Sequence, residues 1–216
     1  MAVSAEAAEG KTGRSAGRRL LTLTVFLATL AVVWIASLIL HEVGHGLTAQ
    51  ALGGEIVWLC VWPGVEVWPS PGQPSEGPWG TAIARLAYAP GEGWEEDGWQ
   101  VGVVRVMGSV TTLLLAGLAL GSLWLFRLQG WLRLFLLAQA FMFADLLLYC
   151  TLPEFFGLPH YLVFGGSVAE PLDGAELLGC PRWVFMLFAG LASGLVTWGL
   201  VAYSRRGRVR DRRLKV

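Results

Sequence analysis

Four runs of about twenty apolar residues, near 20–41, 101–126, 131–150 and 183–203, leave this chain few ways to fold. Each approaches the ~20 residues that a helix needs to cross a hydrocarbon layer. Within such a layer a segment must satisfy its own backbone N–H and C=O groups, so each run is expected to be a helix. Composition agrees: 55% of the 216 residues are hydrophobic and mean hydropathy is +0.56. Only 15% are charged, against about 25% in soluble domains. Eleven Trp suit anchoring at a membrane interface. Lys and Arg balance Asp and Glu, and no basic patch points to nucleic acid.

The bases that do occur set an orientation. Lys11, Arg14, Arg18 and Arg19 lie in the tail 1–19, Arg127 and Arg133 bracket the connection between the second and third runs, and seven bases crowd the tail 205–216. Segment 53–100 holds seven acids against Arg85 alone, and 151–181 holds Glu154, Glu170, Asp173 and Glu176. Basic connections stay cytoplasmic, so both termini are expected there. The expected organisation is one membrane-embedded unit over 20–204 between the basic tails 1–19 and 205–216. In 53–100, Ile56–Trp62 is rich in strand formers, Pro63-Gly64 marks a turn, and Val65 and Val67 alternate with Glu66. The fold class is therefore all-α and polytopic, with about four transmembrane helices and a small membrane-associated β-hairpin. Residues 69–80 read as an irregular loop, 91–100 as a solvated cap. Cys60, Cys150 and Cys180 match no zinc module and read as buried residues.

The first run ends in His41-Glu42-Val43-Gly44-His45, which uses two of the three histidines of the chain. On a helix, residues i and i+4 share a face one turn apart. Two imidazoles so placed can hold one zinc ion, and the intervening Glu can act as general base toward water. Ionisable groups in a membrane helix are costly and point to function. Leu20 to His41 rises about 32 Å as a helix, so the motif falls near the non-cytoplasmic boundary.

A catalytic zinc takes three protein ligands. His160, Asp145 and Asp173 are the candidates for the third. Asp173 lies in Pro171-Leu172-Asp173-Gly174, on the acidic side that the motif faces, and Gly174 lets the backbone turn and approach closely. Asp145 lies in the apolar stretch Phe141–Leu148 and needs a partner, either by lining the site or through Arg105 or Arg133. His160 follows Pro159 and reads as a surface histidine. Gly117, Gly121, Gly190, Gly194 and Gly199 read as close-packing positions between helices.

HEVGH at the end of the first span, with LDG before the last, resembles the site-2 protease family of intramembrane zinc metalloproteases. The resemblance implies His41, His45 and Asp173 as ligands of one Zn²⁺, Glu42 as the catalytic base, and a membrane-associated hairpin after the motif. Gly108, Ser109, Thr111 and Thr112 fall where that family often carries Gly-Pro followed by Asn, and this chain has no Asn. Asp145 could replace such an Asn beside the site.

The implied activity is zinc-dependent hydrolysis of peptide bonds in or near transmembrane segments of membrane-protein substrates within the bilayer. The alternatives are a non-proteolytic membrane protein that keeps the metal site, as a binder of membrane helices or a degenerate paralogue, and a metal transporter. A bacterial plasma membrane is the expected location. On the sequence alone, elemental analysis should find about one zinc per chain, lost in His45→Ala and Asp173→Ala and kept in Asp145→Ala.

Overall fold

The computed structural model describes residues 3–74, 82–160 and 165–213. Part of the loop expected over 69–80 and the end of the basic C-terminal tail lie outside them. The order is α1 (Val3–Ala51), β1 (Glu55–Val61), β2 (Val65–Trp68), β3 (Ala84–Ala89), α2 (Trp99–Leu125), α3 (Gly130–Ala140), a 3₁₀ turn (Phe141–Phe143), α4 (Ala144–Phe156), α5 (Glu170–Leu177) and α6 (Arg182–Arg213). Four helical stretches are long and apolar enough to cross a membrane: Leu20–Ala51, Trp99–Leu125, Gly130–Phe156 and Arg182–Arg206. The third is not one uniform helix, because the 3₁₀ turn joins α3 to α4. Many large apolar side chains point outward, among them Leu118, Leu125, Leu195 and Trp198. That is the surface expected where lipid is the solvent.

Helix α1 runs through the HEVGH motif and stops at a glycine pair. Gly53 has a φ of +93°. Its N–H donates to Gln50 O (3.1 Å), and that of Gly54 donates to Ala49 O (2.8 Å). This is a Schellman ending, which needs a residue in the left-handed region. The chain reverses there and lays the sheet against the last turns of α1.

The expected hairpin is a three-stranded antiparallel sheet of order β2-β1-β3. The third strand is a correction to the loop reading of 53–100. Ala84-Arg85-Leu86-Ala87-Tyr88-Ala89 alternates, but its small residues weaken the strand signal. Ile56 of β1 and Leu86 of β3 fill the space above Gly46, where a Cβ would stand 3.0 and 2.6 Å from their side-chain ends. The sheet therefore rests on α1 one residue beyond His45.

Helices α1, α2 and α5 meet at glycines. A Cβ on Gly44 would collide with Thr111 of α2. One on Gly102 of α2 would stand 2.9 Å from Gly174 O of α5, and one on Gly174 would stand 2.6 Å from Gly102 O. Small residues of this kind let helix backbones approach closely. The LDG glycine thus acts inside a helix and not in the turn expected of it. Of the five glycines expected at helix contacts, Gly117, Gly121, Gly190 and Gly194 have nothing within 4 Å of a built Cβ, and Gly199 meets only Leu120.

Around this seam, Leu146, Cys150, Ala169, Leu172, Ala175, Phe185 and Ala189 form a core between α4, α5 and α6. Cys60 and Cys150 are buried and Cys180 is partly so; all three are free thiols. Burial and the nearby Glu66 carboxylate push the Cys60 thiol up.

Gly174→Leu should part α5 from α2 and lower the thermal unfolding midpoint in detergent, consistent with an overpacking cost of about 1–3 kcal/mol. Gly190→Leu should leave that midpoint unchanged.

Candidate metal centre

His41 and His45 are 3% and 7% exposed, with ring centroids 4.8 Å apart. Each ring uses Nδ1 elsewhere. His41 Nδ1 donates to Asp145 Oδ2 at 2.9 Å, and His45 Nδ1 donates to the carbonyl of Val104 at 2.6 Å. Both imidazoles are thereby held in the tautomer that leaves Nε2 as the metal-binding atom. A second hydrogen bond at the other ring nitrogen is the usual way a protein fixes a histidine ligand.

The two Nε2 atoms share one space. A Cβ on Gly108 of α2 would overlap His45 Nε2 and stand 2.5 Å from His41 Nε2. His45 Nε2 is buried and has no hydrogen-bond partner among the described residues. A carboxylate faces it: Glu170 Oε2 lies 3.7 Å away. Ligand atoms of His41, His45 and Glu170 all fall within 4.8 Å of one another, and the group could hold a metal ion. Two neutral imidazoles and one carboxylate are a donor set that suits zinc. The set is wider than a bound ion requires, and Glu170, with 41% of its side chain exposed, is the member best able to close it. An orphaned buried nitrogen, a cradle that a methyl group would fill and this donor chemistry together fit a metal.

Glu42 follows His41 directly and is half-buried. The backbone of Leu86 on β3 lies within hydrogen-bonding reach of its carboxylate. The strand missed in the sequence is therefore the one that borders the candidate base.

Asp145 is 3% exposed, and its hydrogen bonds go to the site. Its Oδ2 accepts from His41 and also from Thr112 Oγ1 at 2.7 Å. It lines the site by orienting a candidate ligand. Asp173 takes a different position from the one expected of it. Its Oδ1 accepts from Arg182 Nη1 at 2.8 Å, and the same guanidinium binds Glu176 (2.9 Å) and Glu154. Local geometry explains this. Gly179 (φ +75°) and Pro181 reverse the chain after α5, so Arg182 at the start of α6 folds back onto it. The carboxylate that stands with the two imidazoles is that of Glu170, one turn earlier in the first turn of α5.

His160 is not the surface histidine expected. It is 6% exposed, its ring stacks on Tyr149 with centroids 3.8 Å apart, and its Nδ1 donates to Gly166 O at 3.0 Å. Burial pushes its pKa below the usual imidazole range. Tyr149 also stacks on His41, with centroids 5.4 Å apart and planes 7° from parallel. Sequence reasoning missed Glu170, Tyr149 and Arg182. The signal available for Glu170 was its position in the same Glu170-Pro171-Leu172-Asp173 segment.

Compared with family models, curated proteins and solved structures, the chain gives no match.

Gly108→Ala should abolish metal binding while circular dichroism shows an intact helical fold. Asp145→Ala should now weaken metal affinity about 10–100-fold, measured by competition with a chelator, instead of leaving it untouched.

Proposed function

We propose that this chain is a zinc-dependent intramembrane endopeptidase of the site-2 protease type. The observation that carries the proposal is the convergence of His41, His45 and Glu170 on one buried space beside Glu42, on a helix apolar enough to cross a membrane. Zinc bound by these three residues would polarise the scissile carbonyl and acidify a water molecule.

Glu42 is the base. It stands one residue from His41 and is half-buried; as a carboxylate beside a metal-bound water it would take a proton from the attacking water and return it to the leaving amine. Asp145 and Val104 O hold the imidazoles in one tautomer through the cycle. The distribution of Lys and Arg supports a site near the non-cytoplasmic face, with both termini cytoplasmic.

The substrate is a transmembrane segment of another membrane protein, locally unwound, since a helical peptide bond is shielded. An extended strand at a sheet edge would present it. Strand β1 is internal, and the outer side of β2 is engaged by Gln73 and Pro74. Among the described residues β3 has no strand on its other side, and β3 borders Glu42. This favours β3 as the docking edge over the β1–β2 hairpin.

One fact favours a second reading, a non-proteolytic membrane protein that keeps the metal site. The chain has no Asn, the residue that the resembled family places beside its centre.

A cleavage assay with model transmembrane peptides in detergent or bilayers separates the two. The peptidase reading expects zinc-dependent cleavage that drops at least about 10²–10⁴-fold in Glu42→Gln, with zinc content unchanged. Equal activity in Glu42→Gln would remove Glu42 from the mechanism. Absence of zinc-dependent cleavage across a panel of unwound and helical peptides would favour the non-proteolytic reading.

A further inference from the structure

Away from the metal centre, the far ends of three helices are joined by aromatic rings that carry cations. Trp124 stands sixteen residues beyond Gly108 on α2, about 24 Å along the axis. Its ring packs against that of Tyr203 on α6, with centroids 6.3 Å apart. The Arg206 guanidinium sits over the Trp124 ring, 4.4 Å from its centroid. That of Arg133, in the first turn of α3, sits over the Tyr203 ring at 5.5 Å. The order is Arg206, Trp124, Tyr203, Arg133, and it ties α6 to α2 and α3.

A guanidinium over an aromatic face is attracted by the negative face of the ring. The contact orders the side chain and leaves its N–H edge open, a fork of donors that matches phosphate oxygens. Both arginines are exposed. Among the described residues neither has a carboxylate partner; the ion pairs of arginine belong to Arg182. Arg127 and Arg205 add two exposed charges nearby in the chain. Neither 118–137 nor 190–206 contains an acid, so this end carries positive charge that its own helices do not offset.

We propose that the two ring-seated guanidiniums, Arg133 and Arg206, form a binding site for the headgroup phosphate of an anionic phospholipid. Two observations select a lipid over a free anion. The site lies at the ends of helices apolar enough to cross a membrane, and Leu125, Phe126 and Trp131 beside it in the chain are exposed apolar side chains, a surface for acyl chains. Charge selects an anionic headgroup over a zwitterionic one, whose ammonium group would meet an excess of arginine. The aromatic seats matter because guanidiniums already ordered lose less freedom on binding. This is the end that the distribution of Lys and Arg assigns to the cytoplasm.

The lipid site is independent of the metal centre, and its test needs no metal. Full-length protein in a non-ionic detergent is titrated with dioleoylphosphatidylglycerol, and bound lipid is counted by native mass spectrometry. Dioleoylphosphatidylcholine is the zwitterionic control and inorganic phosphate the free anion. The proteins are wild type, Arg133→Gln/Arg206→Gln, Arg127→Gln/Arg205→Gln and Trp124→Leu, each with its lipid-free unfolding midpoint. The wild type should prefer phosphatidylglycerol to phosphatidylcholine. Arg133→Gln/Arg206→Gln should lose about tenfold or more of that affinity with its midpoint unchanged. Arg127→Gln/Arg205→Gln removes the same charge and should lose clearly less. Trp124→Leu keeps every charge and should still bind more weakly than wild type; if its midpoint falls, the two double variants decide. Equal loss in the two double variants, or a stable Trp124→Leu protein that binds as wild type does, would reduce the site to net charge and overturn the proposal. Equal affinity of wild type for the two lipids would overturn it as well. Displacement of phosphatidylglycerol by an equal concentration of inorganic phosphate would show a free-anion site and overturn the lipid assignment.

Discussion

The hydrogen bond from His41 Nδ1 to Asp145 Oδ2, reinforced by Thr112, is the contact on which the rest of the site depends. It ties α1, α2 and α4 together in a region with little water to compensate a broken bond. A buried carboxylate without a partner is strongly unfavourable, and removing one member of such a pair costs about 3–5 kcal/mol. Asp145 is thus both an obligation and a device. The fold must bring His41 to it, and in doing so leaves His41 Nε2 facing inward. The same logic holds more weakly for His45 and the Val104 carbonyl.

Close approach of helices makes these bonds possible. Gly44, Gly102, Gly108 and Gly174 each occupy a point where a Cβ would strike a neighbour. Three of them bring α2 against α1 and α5, and Gly108 clears the space before the two Nε2 atoms. Position 108 is therefore constrained by the site and not only by packing. The sheet has a comparable role. It rests on Gly46 through Ile56 and Leu86, and that seating carries the backbone of Leu86 to Glu42.

Much of this could be read from the chain itself. The apolar runs matched four helical stretches, the third broken by a 3₁₀ turn, because a hydrocarbon layer permits little else. His41, Glu42 and His45 are local in sequence, and helical periodicity alone places them. Asp145 stood out because a carboxylate in an apolar run needs a partner, although the partner's identity required the tertiary fold. What was not legible depends on long-range geometry. Whether Glu170 or Asp173 reaches the histidines is decided by a one-turn offset on α5 and by Arg182 folding back after Gly179-Cys180-Pro181. Strand β3 carries a weak local signal and forms because β1 offers it an edge. His160, in a Pro-flanked loop, looked exposed and is buried by Tyr149 and Gly165.

The central claim is that His41, His45 and Glu170 form one metal centre while Asp173 serves the Arg182 cluster. Elemental analysis of detergent-purified wild type, Glu170→Ala and Asp173→Ala tests it most directly. The account predicts close to one zinc per chain in wild type and in Asp173→Ala, and its loss in Glu170→Ala. Zinc retained in Glu170→Ala and lost in Asp173→Ala would contradict the donor set and restore the ligand assignment drawn from the family resemblance.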